Sequence, residues 1–104
     1  MARFHALEMA LTTAASVYAA EIRNAELRNQ LQRAASSVVL NLAEGSGRVG
    51  KDRMHFYRIA YGSCRECQAA VEIVGRTGLA QAALVSQWRE EFDRLGAILW
   101  RLTH

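Results

Sequence analysis

Proline is absent from all 104 residues, so the strongest helix breaker never interrupts the chain and glycine is left to mark the turns. Cysteine occurs twice, at Cys64 and Cys67, too few for the disulfide framework of a small secreted fold. Uninterrupted apolar stretches are also missing: none approaches the roughly 18 residues that a membrane span requires. The first segment, MARFHALEMALTTAASVYAAEIR, carries Glu8 and spreads its apolar residues as a stripe. A secretory signal would instead place a compact apolar block after a basic start. A cytoplasmic protein without a membrane partner is the expectation.

What remains is rich in helix-forming material. Hydrophobic residues make up 51% of the chain and charged residues 22%, which favours a packed, all-α globular protein over a disordered or β-rich one. The length corresponds to a single domain spanning 1–104, with one core and no room for a second. No internal repeat, low-complexity tract or linker divides it.

Apolar spacing predicts four helices. The first, over residues 3–20, presents Phe4, Leu7, Leu11, Ala14, Ala15 and Tyr18 on one side. The second, over 25–44, carries Leu27, Leu31, Ala34, Ala35, Val38 and Leu42 at three- and four-residue steps. Val39 and Leu40 extend its apolar surface, so burial from several directions is expected. Ser36, Ser37 and Asn41 interrupt that surface with small polar groups that permit close helix packing. Gly45 and Gly47 are then expected to stop the helix in the left-handed conformation common at helix ends.

The third helix, over 51–76, repeats Phe56, Ala60, Ser63, Cys67, Ala70 and Val74 at heptad-like spacing. The fourth, over 81–102, repeats Leu84, Trp88, Phe92, Leu95, Leu99 and Leu102. Short connections place consecutive helices side by side, the arrangement of an antiparallel up-down four-helix bundle. Met54, Tyr57, Tyr61, Cys64, Val71, Val85, Ile98 and Trp100 fall partly outside these stripes, and some of them are expected to meet another subunit.

The run AASSVVLNLAEGSGR, followed by Phe56, Arg58, Ala60 and the Gly62-Ser63 pair, resembles the bacterial four-helix bundle proteins encoded in intervening sequences of 23S ribosomal RNA genes. Those proteins are related to the accessory variability proteins that partner reverse transcriptases in diversity-generating retroelements. The resemblance covers residues 4–102, and its specific part is 30–63. Val39 stands where family members usually carry proline. The resemblance implies a ring-like homo-oligomer, a homopentamer, and as partners an RNA or DNA backbone or a reverse transcriptase. Cyclic symmetry would repeat one charged face around an axis.

Charge is concentrated in the middle of the chain. Between Arg23 and Arg65 eight basic residues face three acidic ones, an excess of five, while the flanks carry a net −2 to give the overall +3. Positive groups bind nucleic acid largely by displacing counterions from phosphates. Twelve of the thirteen basic residues are arginine, whose planar fork grips phosphate in two places. Arg28, Arg33, Arg48, Lys51, Arg53, Arg58 and Arg65 are the candidate nucleic-acid contacts. The bland alternative is a solvated surface paired with acidic neighbours.

Other motifs carry less. Gly45-Ser46-Gly47-Arg48-Val49-Gly50 fits GxGxxG, but a dinucleotide fingerprint follows a strand and opens a helix, whereas this one follows a helix. Cys64-x-x-Cys67 falls inside a helix without a second ligand pair, and is read as two small buried thiols rather than a zinc or redox site. No cofactor and no metal is expected. Arg48 and His55, separated by six residues, match the Arg-x(4–6)-His spacing of HEPN ribonucleases, the one enzymatic alternative, with general acid–base chemistry on RNA. The expected function is a noncatalytic oligomer that binds nucleic acid or docks a nucleic-acid enzyme. The competing class is a structural protein-interaction module without nucleic-acid binding.

Overall fold

In a computed structural model the described residues, Ala2 to His104, form four α-helices and no strand. Side chains are described from His5 onward, so the expected core position Phe4 lies outside the described side chains. The helices are α1 (Ala2–Ala19), α2 (Ala25–Ser46), α3 (Gly50–Arg76) and α4 (Ala82–Thr103). The longest, α3, has 27 residues, about 40 Å at the α-helical rise, and sets the 42 Å length of a molecule about 21 Å across.

Side-chain pairs fix the direction of every neighbouring helix. Gly45 near the end of α2 meets Tyr57 near the start of α3, and Ser37 lies 2.7 Å from Ser63 midway along. Glu72 pairs with Arg89 and Tyr61 with Trp100, so α3 and α4 run in opposite directions. Thr13 donates to Glu91 at 2.8 Å and Trp88 Nε1 to Ser16 at 3.0 Å, which does the same for α1 and α4. Each helix touches two others; α1 and α3, like α2 and α4, stand diagonally apart. The all-α expectation and its four helices are met, with α1 lying one residue earlier and α4 one residue later than the spacing suggested, α3 starting one residue earlier and α2 running two residues further.

The core is one continuous cluster. Trp88, Phe92, Leu95 and Leu99 from α4 enter it with Leu31, Val38 and Leu42 from α2 and Cys64, Cys67, Val71 and Val74 from α3. The contribution of α1 differs from the predicted stripe. Ala6, Ala10, Thr13, Ala14 and Val17 are buried, whereas Leu11, Ala15 and Tyr18 face outward and Leu7 is half-buried. On α2, Leu40 is 66% exposed, so this helix is not enclosed on all sides. Of the residues that fall partly outside the predicted stripes, Tyr57, Cys64, Val71 and Val85 are buried within the core.

The glycine expectation is also corrected. Gly45 is buried inside α2, and Gly47 caps that helix with φ −86°, an ordinary right-handed value. The left-handed glycines are Gly50, at the first position of α3, and Gly78, in the α3–α4 turn. Asn24 caps the start of α2, its side chain accepting from the Leu27 N–H at 2.9 Å. Such a cap satisfies a donor that the first helical turn leaves open. The two turns at that end brace one another, since the Arg23 N–H donates to the Leu79 carbonyl at 2.8 Å and Ile22 is buried.

Candidate nucleic-acid interface

The seven candidate cations do not form one patch. Lys51, Arg58 and Arg65 recur at seven-residue steps on α3, nearly two helical turns apart, and all three are exposed. This spacing places them in one line on the side of α3 opposite its buried residues Ala60, Cys67 and Val74. Lys51 and Arg58 have no ion pair or side-chain hydrogen bond among the described residues. Arg65 Nη1 donates to Gln68 Oε1 at 2.9 Å and borders the groove between α3 and α4.

The other four are placed differently. Arg28 sits at the far end of the bundle, donating to the Ile22 carbonyl at 3.4 Å. Arg33 is exposed beside Glu66 in a groove of about 380 Å³ between α2 and α3. Arg48 is engaged in the α2–α3 corner: it lies 3.0 Å from Glu44 and 3.9 Å from Asp52, and its guanidinium stands 5.1 Å above the Phe56 ring. Arg53 is half-buried and donates to the Gly45 carbonyl at 3.3 Å. The last carbonyls of a helix lack i+4 partners within it, and the Gly45 carbonyl accepts both from the Arg48 N–H at 3.1 Å and from Arg53.

His55 packs edge-on against the same Phe56 ring, with centroids 5.2 Å apart. Phe56 thus contacts both residues of the Arg48/His55 pair. Asn41 donates to the Ser37 carbonyl at 2.9 Å, which spends its amide inside α2.

Two features escaped the sequence reading. On the α3/α4 side, Trp100 and His104 stack with centroids 3.4 Å apart and planes 16° from parallel, and Tyr61 lies 6.0 Å from each ring. The four-residue step between Trp100 and His104 was the available signal. On the opposite side, between α1 and α2, Leu11, Ala15, Tyr18, Val39 and Leu40 line an apolar groove of about 320 Å³. Tyr18 and Ser36 close its floor through a 2.7 Å hydrogen bond.

The thiols are inert in setting. Burial, then the nearby Asp93 charge, pushes Cys64 up to about 12, against a smaller opposing effect of Arg65. Cys67 rises further for the same first reason, followed by Cys64 and Glu66. Both are buried and unpaired, and Cys64 Sγ donates to the Phe92 carbonyl at 3.4 Å. Among the described residues no group of three or more His, Cys, Asp or Glu is placed to hold a metal. Glu72 is held below its usual range by the hydrogen bond from Arg89, with Arg76 adding to it. None of the described helices is long and apolar enough to cross a membrane.

A family model described as 23S rRNA-intervening sequence protein matches residues 3–101. A search of curated proteins gives no match.

Proposed function

Starting from a chain that belongs to the 23S rRNA-intervening sequence protein family, we propose a noncatalytic homo-oligomer, a homopentameric ring, that binds the backbone of RNA. The observation that carries this reading is the line of Lys51, Arg58 and Arg65 along the outer side of α3. Two of its three charges are unspent within the protomer, so they remain available to displace counterions from phosphates. Contacts of this kind position a nucleic acid without selecting a sequence. Arg28, Arg48 and Arg53 serve the fold first, through Ile22, Glu44 with Asp52, and Gly45 respectively.

Assembly is supported by the α1/α2 groove. Leu11 is 45% exposed, Tyr18 53% and Leu40 66%, a contiguous apolar strip of the kind that marks an interaction surface. A second copy of the chain is the proposed occupant. Because α1/α2 and α3/α4 are opposite sides of the bundle, assembly through the first leaves the basic line of α3 outward. Ring symmetry then multiplies a three-charge strip into a band.

Filter binding of RNA across a salt series tests the reading. Affinity is expected to fall linearly on logarithmic axes as salt rises, with little preference among sequences. Absence of binding at low salt, or binding indifferent to salt, overturns it. The same apolar strip favours a second reading, in which the protein docks a nucleic-acid enzyme such as a reverse transcriptase. A protein partner that stays bound after nuclease treatment, with no nucleic acid recovered, would favour that alternative.

A further inference from the structure

We propose that Trp100 and His104, backed by Tyr61, form a stacking site for an unpaired base of single-stranded RNA, with Arg58 and Arg65 holding the adjacent phosphates. The site rests on the RNA-binding reading and gives it a preference that the charges alone do not supply. Trp100 is 49% exposed although it is one of the largest apolar side chains in the molecule. Its ring is not loose: the imidazole of His104 lies almost parallel to it at 3.4 Å. His104 is itself anchored, with Nδ1 2.8 Å from Thr103 Oγ1 and 3.2 Å from the Trp100 carbonyl. The two rings make a preformed platform, which lowers the ordering cost of adding a third. Tyr61 stands beside both, joining the platform to α3.

Charge around the platform matches a nucleotide. Arg58 precedes Tyr61 by three residues and Arg65 follows it by four, the spacings that bring side chains together on one helix face. They bracket the aromatic group over about 10 Å of α3. The nearest carboxylate along α4, Asp93, is seven residues before Trp100 and accepts from Gln68 Nε2 at 3.2 Å. It lies on the Arg65 side of the platform, beside Gln68. Aromatic platforms set in a cationic groove bind unpaired bases of any identity, because every base has a π-face, while a duplex keeps its bases stacked internally.

The test compares three RNAs of equal length on the intact protein: an unstructured strand, an abasic phosphodiester strand, and a duplex. Trp88 is fully buried, so quenching of the exposed tryptophan emission reports on Trp100. The unstructured strand is expected to bind about tenfold more tightly than the abasic one and to quench that emission. Trp100→Ala should erase the margin, and Trp100→Phe should keep most of it while the duplex binds all three proteins alike. Equal binding of intact and abasic strands without quenching, with salt-dependent affinity preserved, overturns the stacking site and spares the backbone reading. Failure of every strand to bind at low salt overturns both.

Discussion

Gly45 of α2 and Tyr57 of α3 meet with no room for a methyl group between them: a β-carbon at position 45 would lie 2.6 Å from Tyr57 Cε1 and 2.7 Å from Cδ1. The ring has little freedom to retreat, being buried and bonded through its hydroxyl to Ser46 Oγ at 3.2 Å. Gly45→Ala should therefore destabilise the protein by about 2 kcal/mol, despite the better helix propensity of alanine. Gly62, inside α3, has nothing within 4 Å of an added β-carbon, and Gly62→Ala should gain up to about 1 kcal/mol. Thermal melts followed by helical circular dichroism check the pair. A Gly45→Ala protein as stable as the parent would show that the two helices separate without cost.

That contact also marks where reading the sequence stops short. Leu31, Val38, Leu42, Trp88, Phe92 and Leu99 announce two helix faces because large apolar side chains recur at helical steps, and all six are buried. Spacing misjudged α1, where Leu11 and Tyr18 are far larger than alanine yet face outward. The core side of α1 is made of Ala6, Ala10 and Ala14 with Thr13 and Val17, and Trp88 reaches across to Ser16. Small residues that admit a neighbour's bulk leave little periodic signal. At the candidate interface, the line of Lys51, Arg58 and Arg65 follows from helical geometry alone. The inward turn of Arg53 does not, because it depends on a carbonyl eight residues earlier in another helix.

The buried thiols give a pH dependence with a definite sign. Their folded pKa values lie above the ordinary 9.0, so below about pH 9 both states hold these protons and the thiols leave stability unchanged. Above it the unfolded chain releases protons that the folded chain keeps, and stability falls by about 1.4 kcal/mol per pH unit for each thiol until the folded thiol ionises. Urea unfolding between pH 8 and pH 11 should show this decline, and a Cys64→Ala/Cys67→Ala variant a shallower one. At neutral pH a thiol reagent should label both cysteines slowly until urea is added, since the thiolate is the nucleophile. Rapid labelling of the native protein would contradict the burial.

Leu40 contributes little to its own protomer's fold, so a charge there separates assembly from folding. Leu40→Glu should leave the helical circular dichroism intact while converting the proposed homo-oligomer to protomers, as measured by light scattering during size-exclusion chromatography. Placing a carboxylate in an apolar interface costs desolvation without a partner, and the ring would repeat that cost at each contact. A wild-type chain that runs as a lone protomer at micromolar concentration would remove the proposed interface.

The basic residues divide into two groups that salt titration distinguishes. Removing Lys51 and Arg58 takes away charges without fold partners, so the double alanine variant should keep its thermal stability and lose RNA affinity uniformly across sequences. Its logarithmic salt slope should drop by about one per lost phosphate contact. Arg53→Ala works through the opposite route: it removes one of the two donors to the Gly45 carbonyl, leaving the Arg48 N–H at 3.1 Å, and is expected to lower stability by about 0.5 kcal/mol, with the salt slope unchanged. If Arg53→Ala flattened the salt slope while Lys51 and Arg58 proved silent, the phosphate path would run over the α2–α3 corner instead of the outer line of α3.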